Sequence, residues 1–106
     1  MGIKSDIDSV LEFVRSFKHK DGGYESRGYS SIPDTFFALS TLNNIDKLNK
    51  ETPAKKYLLD GADSILKSYL EYVYWHFESL LLLDERPSYI ESIPNYLARC
   101  SRTNGG

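Results

Sequence analysis

The chain has 106 residues, 41% hydrophobic and 26% charged, with a net charge of −2 and eight Tyr, five Phe and one Trp. That length fits a single domain, and so many rings at so low a charge exclude a disordered chain. The near-neutral balance offers no electrostatic footprint for nucleic acid. The longest unbroken apolar run, Leu80 to Leu83, is far short of the roughly twenty residues of a membrane span.

The first helix is expected to start at Ser5, whose hydroxyl can cap it, with Asp6 and Asp8 at the positive end of the helix dipole. Ile7, Val10, Leu11, Val14 and Phe17 recur at the spacing of one helical face. Lys18 to Gly23 then reads as a loop, in which Gly22 and Gly23 imply positive φ or close backbone packing. Residues 24–32 have no helical period, but Tyr24, Tyr29 and Ile32 can anchor them. Pro33 suits the first turn of a second helix, with Ser31 or Ile32 at its cap. That helix carries Phe36, Leu39 and Leu42 on one face, with Phe37 beside them, and stops at Asn43–Asn44. Thr52–Pro53 repeats the start signal for a short helix that Gly61 interrupts. The longest helix is expected over about 63–83, with apolar residues around more than half its circumference, which implies burial on several sides. A turn at Asp84–Pro87, an irregular turn over 88–91 and a last helix from Ser92 to Cys100 complete the reading. No segment alternates with period two, so strands are not expected.

Internal repetition organises these elements. Val14–Gly23 and Leu97–Gly106 both end in Gly-Gly, 83 residues apart, and at that offset Ile7, Val10, Phe13 and Val14 fall on Ile90, Ile93, Tyr96 and Leu97. A second echo, at about half the distance, aligns Thr35–Leu42 with Val73–Leu80 at an offset of 38. Helix, Gly-Gly loop and helix, repeated about every forty residues, describe an array of helical hairpins. The first repeat covers about 5–43, a degenerate second about 53–83, and the start of a third about 88–106. The fold class is therefore all-α.

Asp21-Gly22-Gly23-Tyr24, followed by a short loop and Pro33-Asp34-Thr35-Phe36-Phe37-Ala38-Leu39, resembles the repeat of protein prenyltransferase β subunits and squalene/terpene cyclases. The likeness covers residues 7–42 best, extends to 69–83 and 90–106, and is absent over 44–62. It implies an α/α toroid, here incomplete, in which inner and outer helices alternate around a central funnel. Asp21, Gly22, Gly23, Tyr24, Asp34 and Thr35 would be its structural motif, with Asn104, Gly105 and Gly106 as the second copy. Tyr24 is expected to plug the gap between hairpins. The chain stops where the second copy would need its aromatic, so it is expected to be a piece of a longer array.

The chemistry of that family is not matched. Its zinc ligands include an Asp two positions before a Cys, but Ala98 stands two before Cys100, so Cys100 reads as a core residue. His19 is a loop residue and His76 a packing residue, and neither has a second ligand four positions away. Asp6-Ile7-Asp8 serves the helix dipole rather than the Asp-x-Asp-Asp chemistry of acid-initiated cyclases. No catalytic residue, metal or cofactor is assigned. Tyr69, Tyr74, Trp75 and Phe77, with Tyr72 near them, are the candidate lining of an apolar pocket, against the alternative of hairpin-to-hairpin packing. A lone cysteine and an N-terminus without the apolar core of a signal peptide point to the cytoplasm. Fewer than three hairpins leave apolar faces open, so self-association or a partner chain is expected, with an isoprenoid as the ligand the resemblance implies. The alternative is a helical-repeat interaction module without catalytic activity.

Overall fold

The computed structural model describes residues 6–103, with side chains through Arg99. The proposed cap Ser5, the side chain of Cys100 and the motif residues Asn104, Gly105 and Gly106 lie outside the described residues. Six α-helices follow in order: α1 (Asp6–Arg15), α2 (Ile32–Asn44), α3 (Ala54–Asp60), α4 (Ala62–Ile65), α5 (Leu70–Leu82) and α6 (Ile93–Thr103), the last preceded by a 3-10 turn at Ile90–Ser92. Among the described residues there is no strand. Two isolated bridges, Lys18 with Tyr24 and Tyr24 with Ser31, fold the loop between α1 and α2 onto itself.

Helices α2 and α5 are copies of one another in their backbone. Each has 13 residues, and each begins after an extended cap residue, Ser31 with ψ 156° and Tyr69 with ψ 153°. Both end in a left-handed aspartate, Asp46 with φ 57° and Asp84 with φ 58°. Just beyond, the Lys47 amide donates to Leu42 O at 2.8 Å and the Glu85 amide to Leu80 O at 2.9 Å, the six-to-one bond of a Schellman ending. Every one of these positions is displaced by the same 38 residues as the sequence echo. Like positions also touch: Phe36 lies against Tyr74 with ring centroids 6.5 Å apart, and Phe37 against Trp75 at 6.4 Å. Beyond the C-terminal ends, Lys50 Nζ meets Asp84 Oδ2 at 2.6 Å. The two helices therefore run side by side in the same direction and in register, and their contact is the most extensive in the molecule.

The 83-residue echo repeats less. Phe13 is exposed where its counterpart Tyr96 is buried, and Val14 is buried where Leu97 is exposed, so α1 and α6 turn different faces to the core.

Two expectations are corrected. The long helix over 63–83 is broken: α4 ends at Ile65 and α5 starts at Leu70. Neither Gly nor Pro marks the break, and the apolar period runs through it. The extended cap at Tyr69 resets the chain so that α5 enters in register with α2. The Tyr72 amide then bonds Tyr69 O, and the Ser68 carbonyl accepts from the Tyr96 hydroxyl at 2.9 Å. The second correction concerns Asn43–Asn44, which remain helical, because the left-handed stop falls at Asp46.

Two cores lie along the array. Val14, Tyr24, Ala38, Leu39, Leu42, Ala54, Leu58, Leu80 and Leu83 form the first, and Ala62, Ile65, Val73, Tyr89 and Tyr96 the second. Leu39, Leu58, Leu80 and Leu83 are almost fully buried, each contributing about 2 kcal/mol of burial. The molecule measures 60 × 25 × 24 Å with a Cα radius of gyration of 15.7 Å, against about 13 Å for a compact domain of this size. Among the described residues, no helix is long and apolar enough to cross a membrane.

Candidate functional site

The Gly-Gly loop gathers most of the proposed motif residues. Gly22 has φ +96°, and a Cβ there would sit 2.3 Å from the Pro53 carbonyl oxygen. A Cβ on Gly23 would lie 2.7 Å from that of Ser30. Only glycine lets this turn close while it touches the start of α3. Asp21 Oδ1 accepts from the Gly23 amide at 2.9 Å and from the Ser30 hydroxyl. Burial opposes the charged carboxylate, but the bonds from Ser30 and Gly23 and the adjacent His19 outweigh it and hold its pKa below the usual value. The Tyr24 amide donates to the buried Thr35 hydroxyl at 3.1 Å, while Asp34 Oδ2 accepts from the Ser26 amide and hydroxyl at 3.1 and 2.9 Å. Ser31 caps α2 by accepting from the Asp34 amide. Asp21, Gly22, Gly23, Tyr24, Asp34 and Thr35 thus form one latch binding the loop to the N-terminus of α2. The Tyr24 ring fills the first core beside residues of α1, α2, α3 and α5, and burial raises its pKa. Of these groups, Tyr24 and Asp34 also line a groove between α1 and α2.

A second polar knot was not legible as one. His76, fully buried on α5, has Nε2 2.6 Å from Leu58 O and Nδ1 2.7 Å from the Tyr89 hydroxyl. A carbonyl can only accept, so Nε2 carries the proton and Tyr89 donates to Nδ1. The imidazole is neutral. Burial lowers its pKa against the opposing bond to Leu58, and burial raises that of Tyr89. Both ring nitrogens are committed to joining α5, α3 and the segment before α6, which makes His76 a structural tie.

The exposed chemistry is aromatic. Tyr69 and Tyr72 meet at 6.3 Å, Tyr72 and Trp75 at 5.8 Å, and Trp75 meets Phe37, which touches Phe36 at 5.9 Å. Tyr69 is 76% exposed, Phe37 59% and Tyr74 55%, so the rings form a surface rather than an enclosed pocket. Phe77, grouped with them by sequence, packs against the second core. Phe36 and Phe37 complete the face from α2; the sequence reading omits them, although the 38-residue echo that aligns them with Tyr74 and Trp75 is a signal that could have found them. Phe37 also joins a groove of about 280 Å³ between α1 and α2, lined by Phe13, Phe17, Ala38, Thr41, Glu25 and Asp34 among others. Glu25 Oε2 is buried there without a hydrogen bond, with His19 Nε2 3.5 Å away.

Among the described residues, no group of three or more His, Cys, Asp or Glu side chains converges as a metal site. No family model, curated protein or solved structure matches the chain.

Proposed function

We propose that this chain is a non-catalytic helical-repeat module of the prenyltransferase-like α/α-toroid kind, which works by engaging an apolar partner on the aromatic face shared by α2 and α5. One observation carries the reading: six rings of two in-register helices join into a continuous surface, and several stay more than half exposed. Exposed apolar patches of this kind mark interaction sites. His76 is fully buried with both ring nitrogens engaged, which supports a working surface of contact rather than turnover. Inner helices that line a funnel in a closed toroid would here present the same faces to another chain, in the cytoplasm that the lone cysteine suits.

Binding of an isoprenoid is the second reading, favoured by the groove of about 280 Å³ walled by Phe13, Phe17 and Phe37. Trp75 is the only tryptophan and sits in the face, so its fluorescence reports occupancy directly. The module reading expects a hydrophobic dye or a partner chain to shift that fluorescence, and Phe37→Ser with Trp75 intact to weaken the shift at least several-fold. An isoprenoid alcohol that competes with the dye supports the second reading. A stable monomer that binds neither dye nor isoprenoid overturns both.

A further inference from the structure

Charge is distributed unevenly around the aromatic face. Neither α2 nor α5 contains a lysine or arginine; their charged residues are Asp34, Glu71 and Glu78. Glu71 and Glu78 stand four residues before and three residues after Trp75, so both neighbour it on one stripe of α5. On the α2 side, Asp34 is three residues before Phe37 and lines the same groove, together with Glu25. Basic groups at this edge are Arg27, in the adjoining cleft that Tyr72 and Asp34 also line, and His19, beside Glu25 on the far side of the groove from α5. The bases of the chain lie mainly elsewhere, on α3 and in the loops. An aromatic floor within an acidic frame repels a diphosphate headgroup and an anionic membrane surface. It favours a cation, through both the carboxylates and the ring faces.

A row of rings along one helix suits an elongated apolar occupant. Tyr72 and Trp75 lie three residues apart on one stripe of α5, and Tyr69, the extended residue before the helix, continues the row, with steps of 6.3 and 5.8 Å between ring centres. A helix lying along α5 would place its apolar residues at i, i+3 and i+7 between these rings. Its flanking side chains would then meet Glu71 and Glu78. Resting on the reading of this face as the working surface, we infer that the partner is a basic amphipathic helix, with an apolar stripe on the rings and lysines or arginines over the acids that bracket Trp75.

The test uses the full chain and two peptides of equal length and helicity. Both carry the same leucine stripe, and their remaining positions are lysine in one and glutamate in the other. Titration is followed by Trp75 fluorescence. The lysine peptide is expected to bind roughly tenfold tighter at low salt, with the gap closing as salt rises. Glu71→Gln/Glu78→Gln should reduce that advantage several-fold and flatten its salt dependence, while Glu51→Gln/Asp60→Asn on the α3 surface should leave it in place. All four sites are at least partly exposed, and circular dichroism checks that each variant stays helical. Equal binding of the two peptides overturns the basic partner but leaves the aromatic face as a docking surface. If neither peptide binds while the dye does, the helical occupant is overturned, and if the dye also fails, the face itself is not the working surface. An advantage that survives the Glu71/Glu78 change but is lost with the α3 change assigns the attraction to another surface and overturns the proposal.

Discussion

The glycine latch at residues 21–35 and the histidine tie at Leu58, His76 and Tyr89 do the same work by opposite means. Each fastens separate segments through polar groups, mostly at the surface in the latch and buried in the tie. The latch depends on what is missing: at Gly22 a side chain would strike the backbone of Pro53. The tie depends on what is present, a neutral imidazole with a donor on one side and an acceptor on the other. Steric room leaves a mark in sequence, because only one residue type provides it. A hydrogen-bonded side chain leaves none, because its partners can lie anywhere along the chain.

Substitution at Gly22 separates the two most sharply. Gly22→Ala combines a left-handed φ with a Cβ that has nowhere to go, and it should cost about 4 kcal/mol in urea unfolding. Gly28 also has a left-handed φ, +90°, but no atom lies within 4 Å of its virtual Cβ. Gly28→Ala should therefore cost about 1 kcal/mol, the conformational part alone. If both variants lose the same amount, close approach to Pro53 does not shape the latch.

At the tie, His76→Phe keeps a ring in place but strands the Leu58 carbonyl and the Tyr89 hydroxyl in the core. The expected loss is about 3 kcal/mol. The same site predicts a pH dependence. The folded-state pKa of His76 lies below its ordinary value of 6.5, so the unfolded chain takes up the proton first as pH falls. Stability from this group is complete above about pH 6.5 and declines below it, down to the folded-state pKa. His76→Phe should flatten that part of the profile. The Asp21 carboxylate, also lowered, contributes in the same direction only at more acidic pH, below its ordinary value of 3.8, so the two losses should begin at different pH. A His76→Phe profile that keeps the slope between pH 6.5 and 5 would place its origin outside the tie.

What was legible follows the same division. Ser31 and Pro33 announced the start of α2, and Gly22–Gly23 announced a turn, because capping and positive φ restrict residue type locally. The 38-residue echo aligned Phe37 with Trp75 in sequence, but their contact emerged only in the structure. The break at Leu66–Tyr69 was illegible: its cause is the register of α5 against α2 and a bond from Tyr96 to Ser68, both nonlocal. The aromatic surface was legible as composition, but which rings face outward was not, since Phe77 and Trp75 differ only in the side of α5 they occupy. The pairing of His76 with Leu58 and Tyr89 spans 18 and 13 residues, and no spacing rule connects those residue types.

Thr35 offers a milder break in the latch. Its buried hydroxyl accepts the Tyr24 amide, and Thr35→Val keeps the shape while removing the acceptor. A loss of about 1–2 kcal/mol is expected, with Thr35→Ser recovering most of it. An equal loss for both would point to the methyl group, and so to packing rather than the bond.

The smallest effect is expected where the two repeats are most alike. Asp46 and Asp84 both hold the left-handed position just past the ends of α2 and α5, where glycine avoids the clash of Cβ with the backbone. Asp46→Gly should therefore stabilise the fold by about 0.5–1 kcal/mol. Asp84→Gly should gain the same conformational relief, but it gives up the contact with Lys50 at 2.6 Å. Both partners of that pair are more than half exposed, and such pairs are worth at most about 0.5 kcal/mol. Asp84→Gly should then gain visibly less than Asp46→Gly, and the difference should vanish in high salt or in a Lys50→Met background. If it persists there, the two helix endings differ in backbone strain, and the repeat is less regular at its C-terminal ends than its 38-residue register indicates.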